Sequence, residues 1–233
     1  MPSKNIVKVY SEDGYYHLYN RGVEKRPIFL DEQDYSVFLS YLKQYLLPKN
    51  EEELRAKLSN PLISYKEKGQ ILKLLRMNNF HGEIFMLCYC LMPNHFHLLV
   101  KQRNSGSIDK FMNSICTRYT MYFNKKYKRI GRLYQDVYKA VLVENEMQLL
   151  YLTAYIHRNP TIGKRLRTKG DPFRAWFSQP SSYPEYLGQK QTKWVSTDEI
   201  LSFFSKNNPQ LSYQNFVEQT NDITPIADLF LDS

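Results

Sequence analysis

Residues 81–102 constrain the fold of this chain more than any other stretch. A hydrophobic run over 81–92 and a second over 95–102 are joined at the turn Met92-Pro93-Asn94. Two apolar runs of strand length around so short a connection predict an antiparallel hairpin. The returning strand begins His95-Phe96-His97-Leu98-Leu99-Val100 and carries two of the five histidines in the protein. Side chains alternate across a strand, so His95 and His97 share one face while Phe96 points to the other. Two adjacent imidazoles can hold a divalent metal through neutral ring nitrogens. They can equally be hydrogen-bonded structural residues, and the pair alone leaves both readings open.

The elements around the hairpin follow from periodicity and punctuation. Residues 14–24 alternate and are aromatic-rich, which predicts a first strand. Asp31 caps a helix running to about Leu47, with Tyr35, Phe38, Leu39, Leu42 and Leu46 at helical spacing. Pro48 ends it. Residues 49–79 are charged and amphipathic and read as one or two short helices in a surface excursion. Ile108 to about Lys126 reads as a helix that Gly131 breaks, and 134–143 as a fourth strand. Asn145 with Gln148 three residues on resembles a capping box opening a helix from Glu146 to about Arg158, which Pro160 stops. The order β-α-β-β-α-β predicts an α+β fold of the ferredoxin-like, RRM-like type: a split βαβ antiparallel sheet with helices on one face. An aromatic extension over 176–188 leads to a linker, and 191–233 form a small helical appendage to a domain over 1–190. The fold alone says nothing about chemistry.

Charge points to the partner. The formal net charge is +9, which favours nucleic acid, with an anionic membrane surface second. Segment 118–139 holds Arg118, Lys125, Lys126, Lys128, Arg129, Arg132 and Lys139 against one acid, Asp136. Tyr119, Tyr122, Phe123, Tyr127, Tyr134 and Tyr138 are interleaved. Cations follow phosphates while rings stack on bases, a pairing that suits single-stranded nucleic acid. Lys164 and Arg165 open a second basic tract over 164–169. Such cations position phosphates and carry little sequence information. Three cysteines without paired spacing argue for a reducing compartment. With no signal-peptide pattern and no apolar run of membrane-span length, a soluble cytoplasmic protein is expected.

The run Tyr155-Ile156-His157-Arg158-Asn159-Pro160 ends the last core helix. Tyr155 and Asn159 are four apart and share a face if helical geometry persists to Asn159. Pro160 biases its predecessor away from the helical region, which places Asn159 at the helix end. An Asn carbonyl oxygen is an acceptable ligand for Mg2+ or Mn2+, and a phenol on the same face is a candidate nucleophile. Taken alone, the two residues are better explained by packing and by a helix C-cap, because Tyr and Asn are common in both roles.

Three segments together resemble the REP-associated tyrosine transposases, within the wider class of HUH single-strand nucleases and the IS200-like transposases. They are Cys90 to Leu99, then Arg118-Tyr119-Thr120 through Asn124 to Gly131-Arg132-Leu133-Tyr134-Gln135, and Tyr155 to Pro160. The opening Tyr16-His17-Leu18-Tyr19-Asn20-Arg21-Gly22 and a late Ser181-Ser182-Tyr183 are also similar. The likeness covers roughly residues 14–188 in the correct order. It implies that His95 and His97 hold a divalent cation, Mg2+ or Mn2+, and that Tyr155 is the catalytic tyrosine. It also implies that Asn159 is the third protein ligand, where some related transposases have Gln. His157 lies on another helix face and is not assigned to the site.

The implied activity is a DNA transposase. It would cleave and rejoin single-stranded DNA near hairpins through a 5′-phosphotyrosine, with Arg21 and the cations above contacting DNA. A monomer or a homodimer is compatible with the resemblance. Two other readings are a noncatalytic nucleic-acid-binding module on a ferredoxin-like sheet and a metal-dependent hydrolase acting through water.

Overall fold

A computed structural model of the protein describes residues 10–161, 178–220 and 224–229. Four strands are present: β1 (Tyr15–Arg21), β2 (Ile84–Met92), β3 (His95–Gln102) and β4 (Lys139–Val143). They form one sheet in the order β2-β3-β1-β4, and every neighbouring pair is antiparallel. Together with α1 (Glu32–Leu46), α4 (Ser107–Lys126) and α5 (Glu146–Arg158), this is the expected ferredoxin-like arrangement.

Local chemistry accounts for the element ends. The Asp31 carboxylate accepts the Asp34 backbone N–H at 3.0 Å and opens α1. Asn145 accepts from the Gln148 N–H at 2.9 Å and opens α5. The reciprocal half of the capping box is displaced by one residue, because Gln148 Oε1 accepts from Glu144 rather than from Asn145. The excursion consists of two helices, α2 (Glu51–Leu58) and α3 (Tyr65–Arg76). Lys49 ties α3 down, with its ammonium donating to the carbonyls of Leu75 and Met77 at 3.0 Å each.

The sheet buries both faces, not the single face expected. Tyr16, Leu18, Phe96, Leu98 and Val100 point to one side and pack with α1 and α4. Leu99, Cys88, Cys90 and Val143 point to the other and pack with α5 and the C-terminal elements. Those elements are the short helices Tyr183–Tyr186, Asp198–Leu201 and Tyr213–Gln219 and the 3-10 turn Thr224–Leu229. Ile200, Tyr213, Val217, Ile226 and Leu229 are all buried there. An uncovered sheet face would leave apolar side chains such as Leu99 in water, so the C-terminal elements complete the core. They also cover the outer edge of β2, through Leu91 N–H to Pro180 O, Ser182 N–H to Tyr89 O and Ser196 N–H to Met86 O.

The fourth strand is shorter than the 134–143 expected. Tyr134 makes an isolated bridge to Gly22, and the Asn20 side-chain amide takes the Asp136 carbonyl at 3.1 Å. That carbonyl is therefore used before a ladder can form, and pairing with β1 begins at Lys139 opposite Tyr19. The basic tract over 164–169, with Lys164 and Arg165, lies outside the described residues.

Candidate active site

Strand register gathers the site. In an antiparallel pair, directly opposed residues share a face. His95 opposes Arg21 and Met92, and His97 opposes Tyr19 and Cys90. Lys139 opposes Tyr19 from β4. Arg21, Tyr19, Lys139, His95 and His97 therefore lie on the face against which α5 packs. Tyr155 comes down from α5, its ring edge-on to His97 with centroids 5.6 Å apart and planes at 86°. His95, His97 and Tyr155 line a cleft of about 360 Å3 together with Tyr19, Arg21 and Lys139.

Asn159 is the C-cap of α5 and keeps helical dihedrals, with φ −47° and ψ −42°. Pro160 does not push it out of the helical region, because the chain tightens into a 3-10 turn over Asn159–Thr161. The Asn159 amide N–H donates to the Tyr155 carbonyl at 3.3 Å, which turns its oxygen toward the sheet. That oxygen lies 3.4 Å from His95 Nε2. His95 Nδ1 lies 2.7 Å from Asn94 Oδ1, and His97 Nδ1 lies 2.8 Å from His17 Nε2. Each Nδ1 is thus engaged by the protein, leaving Nε2 as the nitrogen for a ligand.

The electrostatics follow from burial. Desolvation pushes the His95 imidazole below its usual range, opposed by the Asn159 oxygen, which can accept from the charged ring, and aided by Arg21 nearby. His97 is pushed well below, by burial first and then by His17 and His95. Both rings are neutral at physiological pH, the state in which imidazole binds metal. Burial raises the Tyr155 phenol above its usual value, against a hydrogen bond to Asn159 that lowers it. Tyr155 is therefore protonated in the free protein.

The donor set mixes two borderline nitrogens with one hard oxygen, a combination that suits a divalent first-row ion such as Mn2+ better than Mg2+. The amide oxygen is a ligand that Mg2+ or Mn2+ accepts, and neutral imidazole is a general divalent-metal ligand. Among the described residues there is no group of three His, Cys, Asp or Glu side chains placed for a metal; the further donor beside the histidine pair is the Asn159 amide oxygen.

The remaining cations divide by environment. Arg21 is steered into the cleft by its bond from Nε to Gln135 Oε1 at 2.7 Å. Lys125, Lys128 and Arg132 are exposed. Arg129 lies over the Phe123 ring, its guanidinium 5.6 Å from the centroid. Arg118 stacks on Tyr41 at 3.8 Å and donates to Gln44, which fits a role in joining α4 to α1. Lys126 pairs with Asp31 at 2.7 Å and with the fully buried Asp34 at 2.8 Å. His157, left out of the site on sequence grounds, is buried and bridges Tyr213 and Ser182 at 2.7 and 2.8 Å.

Sequence reasoning overlooked His17. The period of two that pairs His95 with His97 also puts His17 on one face with Tyr19 and Arg21. The signal was present, but it needed the β1–β3 pairing to become visible.

The fold and the site define a class: a ferredoxin-like α+β protein that collects a histidine pair, a terminal amide and a tyrosine on one sheet face. Residues 54–159 match the family of IS200-like transposases. The matched part of the chain contains His95, His97, Tyr155 and Asn159. No curated protein matches the chain. A solved structure of a REP-associated tyrosine transposase bound to a REP hairpin aligns with a TM-score of 0.46 at 10% identity, covering 83% of this chain and 97% of that one.

Proposed function

We propose that the protein is a divalent-metal-dependent DNA transposase that cuts and rejoins single-stranded DNA near a hairpin, with Tyr155 as nucleophile. What supports this reading above all is that His95, His97 and Tyr155, from two elements far apart in sequence, line one cleft, with the Asn159 oxygen 3.4 Å from His95 Nε2. A noncatalytic binder has no use for that combination. The hairpin follows from the sequence resemblance.

His95, His97 and Asn159 would hold Mg2+ or Mn2+, which when bound neutralises and orients the scissile phosphate. Tyr155 attacks phosphorus in line, its O–H bond breaks as the O–P bond forms, and the 3′ oxygen leaves and is protonated. Because burial keeps the Tyr155 phenol protonated, its proton must depart during attack. Arg21 and Lys139 line the same cleft and favour the developing negative charge. The resulting 5′-phosphotyrosine retains a phosphodiester-like bond. A second 3′-OH can reverse the step and join a new end without another energy source. The exposed Lys125, Lys128 and Arg132 would follow the backbone of the same DNA.

The test is cleavage of a hairpin-bearing single strand with Mn2+ or Mg2+. Native protein is expected to cut it, and Tyr155→Phe is expected to lose cutting while still binding the strand. Cutting at the native rate by Tyr155→Phe would mean that water, not Tyr155, attacks.

A further inference from the structure

One fully buried titratable residue beside the cleft has no part in the mechanism above. His17 is 0% exposed. It sits on the site face of β1, diagonal to His97, with Nε2 2.8 Å from His97 Nδ1. The two ring centroids are 5.0 Å apart and the planes 18° from parallel. With the nitrogens so much closer than the centroids, the rings meet edge to edge, and the lone pair of one nitrogen faces the N–H of the other.

The direction of that bond is decided at its far end. His17 Nδ1 lies 3.3 Å from the carbonyl oxygen of Leu229, in the C-terminal 3-10 turn. A carbonyl oxygen only accepts, so His17 Nδ1 carries the hydrogen. In a neutral ring Nε2 is then bare, and complete burial disfavours the charged ring. His17 Nε2 therefore accepts, and His97 Nδ1 donates. His97 is left with its lone pair on Nε2.

His95 reaches the same state by a separate route. The Asn94 side-chain N–H donates to the Lys25 carbonyl at 3.2 Å, which fixes the orientation of that amide. Asn94 Oδ1 then faces His95 Nδ1 at 2.7 Å and can only accept. His95 Nδ1 is therefore an N–H, and its Nε2 is bare. Nε2 and Asn159 Oδ1, 3.4 Å apart, thus confront each other with lone pairs on both sides. A cation between them would turn that repulsion into coordination.

We infer that two hydrogen-bond relays, each anchored on a backbone carbonyl, lock both site imidazoles in the Nδ1–H tautomer: Leu229 through His17 to His97, and Lys25 through Asn94 to His95. His17 is a positioning residue that acts through His97, and the turn Thr224–Leu229 becomes part of the site despite lying 212 residues from His17. The use made of the tautomers rests on the metal-site reading; the tautomers themselves do not. Outer partners of this kind set ring orientation and raise ligand basicity, and losing one costs roughly 10–100-fold in metal affinity.

Two measurements on the full-length chain test this. Long-range proton–nitrogen NMR of metal-free 15N-labelled protein reports the tautomer of each histidine, with the His97 signals identified by their loss in His97→Gln. Nδ1–H forms of His95 and His97 are expected, and a His97 found as Nε2–H overturns the relay. Mn2+ affinity, measured by paramagnetic resonance without DNA, is expected to fall roughly 10–100-fold in His17→Leu. It should recover in large part in His17→Gln, whose amide oxygen can accept from His97. A folded His17→Leu that binds Mn2+ as the native protein does overturns the positioning role. If His17→Leu does not fold, the native tautomers and His17→Gln decide the matter. Native protein with Nδ1–H tautomers but no Mn2+ binding would uphold the relay and refute the metal-site reading instead.

Discussion

A cation that contacts DNA and a cation held in an ion pair leave different marks when removed, and on the proposed function the neighbours Lys125 and Lys126 are expected to divide in this way. Lys125 is exposed. Lys126 donates to both oxygens of Asp31 at 2.7 Å and to Asp34 at 2.8 Å. Asp34 is 0% exposed and also accepts from Leu30 N–H, Tyr122 and Tyr127 at 2.8, 2.9 and 2.8 Å. The network joins the start of α1 to the end of α4. In Asp34→Ala the Leu30 N–H and the Lys126 ammonium lose a buried acceptor, whereas the two phenols are half-exposed and can turn to water. Breaking such a buried charged cluster costs about 3–5 kcal/mol, and in a chain of this size that lowers the melting temperature on the order of 10 °C. Lys126→Gln is expected to lower the melting temperature as well, while leaving the salt dependence of DNA binding intact. Lys125→Gln is expected to do the reverse. Its melting temperature stays near native, and the slope of log affinity against log salt falls by about 0.7 for one single-strand phosphate contact. Calorimetry and a fluorescence-anisotropy salt titration on a hairpin-bearing strand measure both quantities. A Lys126→Gln protein with native melting and a reduced slope would refute the assignment of Lys126 to the ion pair.

Two further outcomes follow from the same geometry. Burial alone would raise the Asp34 carboxyl, but the hydrogen bonds from Lys126, Leu30, Tyr127 and Tyr122 outweigh it and hold it below the ordinary value of 3.8. Its stabilisation is therefore complete above that value and lost as pH falls through the depressed one. Asp34→Asn should accordingly be less stable than native at neutral pH, with the gap closing in acid denaturation series below pH 3.8; a gap that is flat across that range would contradict the assignment. Asn159→Ala is expected to weaken Mn2+ binding at least about tenfold, the lower end of what losing even an outer partner costs. It should leave melting of the metal-free protein near native, and unchanged Mn2+ affinity would remove Asn159 from the ligand set.

Much of the core topology was legible because it is written in short-range signals. The hairpin at Met92-Pro93-Asn94, the Asp31 and Asn145 caps and the period-two placement of His95 and His97 each depend on residues a few positions apart. The convergence of Tyr155 and Asn159 on that pair was available only through the resemblance, since nothing local says which sheet face α5 covers. Long-range pairing hid the rest. His17 reads as one more strand residue until β1 lies beside β3 and the C-terminal turn closes over it. Lys126 is indistinguishable in sequence from Lys125, because what separates them is Asp34, on another helix. The end of β4 was misjudged for a similar reason: the Asn20 amide takes a carbonyl that alternation alone would give to a ladder.

If Tyr155 is the nucleophile, its phenolic oxygen becomes bonded to DNA. Native protein incubated with Mn2+ and a hairpin-bearing single strand, digested and examined by tandem mass spectrometry, tests it directly. A nucleotide joined through its 5′ phosphate to Tyr155 is expected, absent when Tyr155→Phe replaces the native chain. An adduct on any other residue, or cleaved DNA bearing a free 5′ phosphate with no adduct at any time point, would contradict it.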